Sequence, residues 1–550
     1  MPSLRAGRWA WTVASLWLCS AALALADPPE TSRSTTPAAT ISSDEAYRKG
    51  LELERGRQWS AAIDIYEKAL EQDPARTELR HRLRLCESHY RLNRRYQDHS
   101  FRAVLLRMPR DQALALYDEL IERITTQYVE SVGFDPLLRH GLDNLEVALR
   151  DPSFLQANSP NAPAEQVLHL RRLYQERRVR IGVRSAAEAR LYVSQVCEEA
   201  RQDLNINAAP IILEFAFGAC EALDDYTTYL TPDKLDDLYS MIQGNFVGLG
   251  VELKLDPLGL KLMNVLKGGP AFDAGLHAGD RITVVDGVTL KGMSLDEAAG
   301  KLQGDEGSSV SISVVRANGT SQDLRLTRRP VEVQSVTETK IVEPALGIGY
   351  IQLTGFQKSS ADELQAAITA LQGQGMRYLV LDLRGNPGGL LDVSVDIADR
   401  FLDQGVIVST RGRASGQTNV YKAHSGGGWR MPVAVLIDKD SASASEILAG
   451  ALKDHGRALI LGERSYGKGS VQSIFPLKSA PAGLKLTTAK FYSPKDRSYN
   501  EQGVEPDVPV RVVAKPVDGE APAAVVGDPQ RDAVLRSAIE QARRRLPVAG

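Results

Sequence analysis

Between residues 334 and 510 the chain alternates short apolar runs with amphipathic stretches, and this alternation limits the possible fold more than any other feature. Ile348–Leu353, Tyr378–Leu383, Val433–Ile437, Ala458–Leu461 and Leu484–Tyr492 read as strands. Ser360–Leu371, Leu390–Leu402 and Ala444–Asp454 read as helices. Apolar runs such as Tyr378–Leu383 have no polar face, so they predict strands covered on both sides. Strands and helices in turn predict an α/β layered domain.

The remainder is organised around that domain. In the first 26 residues only Arg5 and Arg8 carry charge, and an apolar run from Trp9 ends in Ala24-Leu25-Ala26. Small residues at −3 and −1 suit a signal peptidase, so 1–26 reads as a secretory leader cut after Ala26. An uncleaved anchor is the competing reading, because a run of this length can just span a bilayer. Residues 27–42 are rich in Pro, Ser and Thr and predict a linker. Over 43–109, small and aromatic positions (Ala46, Gly50, Trp59, Ala62, Tyr66, Ala69) close at Asp73-Pro74, and a weaker unit closes at Met108-Pro109. A period near 34 predicts a tetratricopeptide-like helical arm, with a plain helical hairpin as the alternative. Residues 110–243 predict a helical region leading into the core, broken by a Pro/Asn loop at about 151–164. The arginines from Arg171 to Arg180 read as a solvated helix face. Residues 511–550 form a Pro/Ala/Val-rich tail ending in a basic helix, Asp532–Arg545.

Composition excludes several classes. Hydrophobic residues make up 43% and charged residues 25%, with a formal net charge of −3, which fits neither a disordered nor a polytopic membrane chain. No basic excess argues for nucleic acid. Four cysteines without a CxxC pair exclude a disulfide scaffold and a zinc ribbon. Cys86, Cys197 and Cys220 remain after leader removal and read as buried free thiols.

From Phe246 the pattern changes to short strands and Gly turns. Val247-Gly248-Leu249-Gly250-Val251 opens it, followed by Gly279-Asp280-Arg281-Ile282 through Asp286-Gly287 and an Asn318-Gly319 turn. This order resembles a bacterial-type PDZ domain over 244–330. In such domains a loop of this kind points N–H groups at a peptide carboxylate while a strand edge pairs with the peptide.

Three Gly- and Ser-rich points interrupt the α/β domain at strand ends, where ligand sites of open α/β folds gather. The first is Asp382-Leu383-Arg384-Gly385-Asn386-Pro387-Gly388-Gly389, whose glycines bare N–H groups suited to an oxyanion or phosphate, although no Gly-Lys-Ser/Thr follows at the spacing of a phosphate loop. The second is Asp440-Ser441-Ala442-Ser443-Ala444-Ser445-Glu446, with more serines than a helix cap needs. The third is Ser465-Tyr466-Gly467-Lys468-Gly469-Ser470-Val471-Gln472; taken alone, it also fits a solvent-exposed turn lysine.

DLRGNPGG, SASASE and GKGSVQ, in this order after a PDZ domain, resemble the C-terminal processing peptidases, or tail-specific proteases. The resemblance covers about 215–510 and includes Ala222–Leu230, Gly244–Gly248, Leu486–Tyr492 and Gly503–Asp507. It implies a multidomain α+β chain: a tetratricopeptide-like arm, a PDZ domain and an α/β layered (ClpP/crotonase-like) serine protease core. It implies Ser443 as nucleophile, Lys468 as general base and Gln472 as the residue orienting it. Ala444 and Gly388 become the oxyanion hole, Glu446 a supporting residue, and Val247, Gly248, Leu249, Gly250 and Val251 the peptide-binding loop. No metal or other cofactor is implied. Partners would be proteins or peptides with free, apolar C-termini, with an adaptor or self-association through 43–109. Nucleic acid has no place, and a membrane enters only through an uncleaved leader. The location would be the periplasm, the cell envelope or the exterior.

The chemistry is consistent with those residue types. A free lysine titrates near 10.4, whereas a base at neutral pH belongs near 7–8, a difference of roughly 4 kcal/mol. Burial beside a neutral Gln472 favours the free amine; an aspartate there would oppose it. His424 and His455 are the competing bases. A non-catalytic scaffold binding protein C-termini is the competing function. Asp438-Lys439 departs from the asparagine common in relatives.

Overall fold

The computed structural model describes residues 17–19, 42–293, 295–426, 428–510 and 526–545. The leader cleavage site, nearly all of the linker and the tail segment 511–525 lie outside the described residues. No helix among the described residues is long and apolar enough to cross a membrane.

The core is layered. One sheet runs in the order 336–343, 348–353, 378–382, 433–437, 458–462, 508–509, antiparallel at the first pair and parallel thereafter. Alternate residues of its central strands enter two different cores. Leu379, Leu381, Val433 and Val435 face the helices 360–373, 391–401 and 444–454, while Tyr378, Val380, Ala434 and Leu436 face the C-terminal helix 533–545. Burial on both faces explains why these strands carry no polar alternation. A second, antiparallel sheet holds 470–476, 483–492, 406–412 and 419–422, with 228–230 added to 483–492. Trp17–Cys19 lies in this sheet between 389–390 and 470–476.

The helical region gathers helices 110–127, 134–148, 164–177, 186–204 and 208–221 around one large apolar cluster. The segment expected to be a loop near 151 contains a helix, Pro152–Asn158. Asp151 caps it, its side chain accepting from the Ser153 N–H, and Pro152 occupies the first turn, where a missing N–H costs nothing. The arginine run is paired as well as solvated: Arg171 with Glu146, Arg177 with Glu199 and Arg178 with Asp143. Cys86, Cys197 and Cys220 are buried and free.

In the arm, helices 43–55 and 59–72 form a hairpin whose small core is completed by Leu79 and Cys86 of the following helix, 77–97. The second unit does not repeat it. Helix 77–97 runs on without a break, followed by the short helix 99–103 and one 3-10 turn, Leu105–Arg107. The first turn uses Gly56 and Arg57, the latter at φ 56; at the corresponding place the chain has Tyr90-Arg91-Leu92, which continues a helix readily.

The module at 244–330 is a separate body. Its sheet, 251–256, 259–265, 281–285, 309–315 and 321–327, encloses its own apolar cluster with helix 295–302. It joins the core through a two-stranded ribbon, 245–248 with 329–332.

Candidate active site

Three chain segments meet at the Ser443 turn. Strand 433–437 ends, the chain turns through 438–443, and helix 444–454 begins directly after Ser443. Ser443 has φ 60 and ψ −113, a conformation costly for any residue with a Cβ. It is fully buried, and its hydroxyl accepts and donates no hydrogen bond among the described residues.

Glu446 explains how the turn is held. Its buried carboxylate accepts four hydrogen bonds. Oε2 takes the N–H of Ser443 (2.7 Å) and of Lys468 (2.9 Å); Oε1 takes the Ser465 hydroxyl (2.6 Å) and the Gly467 N–H (2.7 Å). One oxygen atom thus ties the backbone of Ser443 to the backbone of Lys468. Burial pushes the Glu446 carboxyl above its usual range, against the pull of those four donors.

Lys468 is 1% exposed, which removes the turn-lysine reading. Its Nζ lies 4.4 Å from the centre of the Tyr226 ring. Gly469 lets the chain pass Asn500, whose N would stand 2.3 Å from a Cβ there. Beyond it, Gln472 is fully buried but does not reach Lys468 by a hydrogen bond. Its Nε2 donates to Ser470 Oγ (2.9 Å) and Thr487 Oγ1 (3.1 Å), and its Oε1 accepts none among the described residues.

The glycine loop closes the third side. A Cβ on Gly388, at φ 105, would stand 2.8 Å from Ser443 Cβ and 3.0 Å from the Ala444 N, so only glycine lets the loop come this close. The Ala444 N–H, at the helix N-terminus, meets no acceptor among the described residues. Gly388 corrects the simple expectation of two open donors, because its N–H is engaged with Asn386 Oδ1 at 2.9 Å. The short polar side chain two residues back satisfies it. The loop is pinned to the serine turn by Asn386 O, which accepts from the Ala442 N–H and the Ser445 hydroxyl. Asp438 is structural here: its Oδ1 takes the Gly385 N–H and the Ser441 hydroxyl.

The competing histidines lie elsewhere. His424 is exposed and pairs with Asp399; His455, at the far end of helix 444–454, is exposed and bonds Val406 O. Among the described residues no three His, Cys, Asp or Glu side chains converge as a metal site. Tyr226 and Thr487 are contacts that the reading of the motifs missed. Both lie in runs the sequence already singles out, DDYTTYL and LTTAKFY.

In the 244–330 module, Val247 and Gly248 belong to the joining ribbon, paired with Pro330 and Arg329, rather than to an open loop. Leu249, Gly250 and Val251 lead into the edge strand 251–256. Leu249 O and Gly250 O accept from the Ala271 and Leu266 N–H groups, which fixes the loop against the module.

Comparison with known proteins agrees with this picture. Residues 347–510 match peptidase family S41, and residues 262–316 match a PDZ domain. The carboxy-terminal-processing protease of Bartonella bacilliformis is 39% identical over 299 residues, covering 53% of this chain and 68% of that protein. A carboxyl-terminal-processing protease of Synechocystis is 36% identical over 317 residues, covering 57% and 73%. The chloroplastic carboxyl-terminal-processing peptidase 2 of Arabidopsis thaliana is 37% identical, covering 58% and 63%. Among solved structures, a photosystem II D1 C-terminal processing protease is 28% identical, covers 72% of this chain and 93% of that one, and superposes with a TM-score of 0.37.

Proposed function

From the premise that the chain belongs to the S41 carboxyl-terminal-processing proteases, serine-type peptidases, and carries a PDZ domain, we propose an exported endopeptidase that works through a Ser443/Lys468 dyad. The observation that carries this reading is Glu446 Oε2, which binds the N–H of both residues and so joins two motifs distant in sequence.

In the proposed reaction, Ser443 Oγ attacks the scissile carbonyl carbon while its proton passes to the neutral Lys468 amine. The carbonyl oxygen becomes an oxyanion facing the Ala444 N–H and the positive end of helix 444–454. A second donor becomes available when the Gly388 N–H leaves Asn386 for the oxyanion. Collapse of the intermediate breaks the C–N bond, and the Lys468 ammonium gives its proton to the departing amine. Water then attacks the acyl-enzyme, losing its proton to Lys468, and Ser443 Oγ leaves with that proton. This step requires Lys468 to react as the neutral amine, and Gln472 is an uncharged side chain. The PDZ loop at Leu249–Val251 would take the substrate's C-terminal carboxylate and deliver the adjoining chain to Ser443. The expected leader supports an exported location.

The test compares an unfolded reporter bearing an apolar free C-terminus with its C-terminally amidated twin. Wild type should cleave the free form faster, and Ser443→Ala should cleave neither. Cleavage by Ser443→Ala at the wild-type rate would remove the nucleophile assignment; equal rates on the two reporters would remove tail recognition.

A further inference from the structure

A residue outside the stretch that matches family S41 reaches the active-site loop. Asp532 precedes the C-terminal helix 533–545 and is 4% exposed. Its Oδ1 accepts from the Val534 and Leu535 N–H groups and its Oδ2 from the Gly527 N–H, so it caps that helix. The same two oxygens take Arg384 in a bidentate pair, Nη1 to Oδ1 at 3.0 Å and Nη2 to Oδ2 at 2.6 Å. The other edge of the guanidinium binds Asp382 through Nε (2.9 Å) and Nη2 (2.6 Å). Asp382 is the last residue of the central strand 378–382 and also accepts from the Tyr350 hydroxyl at 2.7 Å.

Arg384 therefore stands between two buried carboxylates, one at the end of the sheet and one on the C-terminal helix. It is also the residue from which the loop Gly385–Gly389 departs. That loop continues to Asn386, which holds the Gly388 N–H and the serine turn, and to Gly388, which abuts Ser443. Helix 533–545 is itself fixed on the sheet by Val534, Leu535, Ala538, Ile539 and Ala542. Asp532 thus ties Arg384 both to the start of that helix and to the Gly527 N–H. A planar five-donor group held on both edges has one orientation; released on one edge, it has several.

We propose that Asp532 is a positioning residue for catalysis: through Arg384 it sets the height of the Gly388 loop over Ser443. The proposal rests on the assignment of Ser443 and of the loop as its oxyanion side. It predicts that the Asp532 carboxylate governs turnover and leaves substrate capture alone. A loop displacement of about 1 Å matters in such a site, since misplacement of that order costs up to about 100-fold in rate.

The experiment uses the full chain and three variants, Asp532→Asn, Asp532→Glu and Leu535→Ala. Steady-state kinetics on the tailed reporter, thermal melting and the rate of Ser443 acylation by a fluorophosphonate probe are measured well below every melting temperature. Asp532→Asn is expected to lower kcat and the acylation rate about tenfold with KM within about twofold. Leu535→Ala removes packing on the same helix but keeps the carboxylate. It should lower the melting temperature with kcat within about twofold of wild type. Asp532→Glu keeps the charge and should fall between Asp532→Asn and wild type. If Asp532→Asn does not fold, Asp532→Glu decides by the same kcat and KM criteria. Wild-type kcat in the folded Asp532 variants, or an equal loss of kcat in Leu535→Ala, would overturn the proposal and leave the helix a purely stabilising element. Failure of the nucleophile assignment itself shows separately, as a probe label on a residue other than Ser443 in the wild type.

Discussion

The core and the PDZ module hold the residues proposed for catalysis and for tail capture in opposite ways. In the core, Ser443 and Glu446 come from the start of helix 444–454, Lys468 and Gln472 from the turn and strand at 468–476; all four are buried, and one carboxylate fastens the two segments together. In the module, Leu249–Val251 lie where a loop enters an edge strand, and a single ribbon connects the whole body to the core. The difference separates two tasks. Bond breaking needs groups fixed to a fraction of an ångström, and a buried, cross-linked site supplies that. Capture of a chain end needs an accessible edge, and a module on a ribbon can present one without disturbing the site.

The comparison is broken most severely at Ser443. Ser443→Ala should lose at least about 1,000-fold in kcat on tailed and tailless peptides alike. Ser443→Gly should be equally inactive yet melt higher than wild type, because glycine relieves the φ 60, ψ −113 strain, worth about 1 kcal/mol. Next comes Glu446→Gln, which cannot accept all four hydrogen bonds. It should lose about 100-fold in kcat and about 2–3 kcal/mol of stability, read by peptide hydrolysis and denaturant melts. In the module, Val251→Asp places a carboxylate beside the expected site for another. KM for the free-tailed reporter should rise about tenfold while kcat and all rates on tailless peptides stay as in wild type. A fall in kcat there would mean that the module also shapes the site.

The effect with the least bearing on turnover touches neither task. Glu214, in helix 208–221, is fully buried against Arg95; burial pushes its carboxyl up to about 7 against the pull of that guanidinium. Between the ordinary value of 4.5 and about 7 the folded chain keeps a proton that the unfolded chain releases. Stability is therefore greatest below that window and falls as pH rises through it, by at most about 3 kcal/mol. The melting temperature should be lower at pH 8 than at pH 5.5, and Glu214→Gln should flatten the difference without altering kcat.

What the sequence made legible follows from how local each signal is. Helix 444–454 and strand 433–437 stand where their apolar patterns put them, and the Gly- and Ser-rich breaks mark the turns that converge. Asp151-Pro152 misled because proline ends a helix from within but begins one at its first turn. The second arm repeat misled because aromatic spacing survives at 96 and 101 although the turn-forming Gly56-Arg57 pair has no counterpart. The partners of Gln472, the engagement of the Gly388 N–H and the reach of Asp532 to Arg384 were not legible. Each is a long-range or loop-specific hydrogen bond, and residue type alone leaves several acceptors open.

The dyad is tested most directly by mapping a fluorophosphonate adduct by mass spectrometry in wild type and in folded Lys468→Ala. The expected result is an adduct on Ser443 in the wild type and a rate at least about 100-fold slower in the variant. Labelling of Ser443 at the wild-type rate without Lys468, or labelling of a different residue, would contradict it.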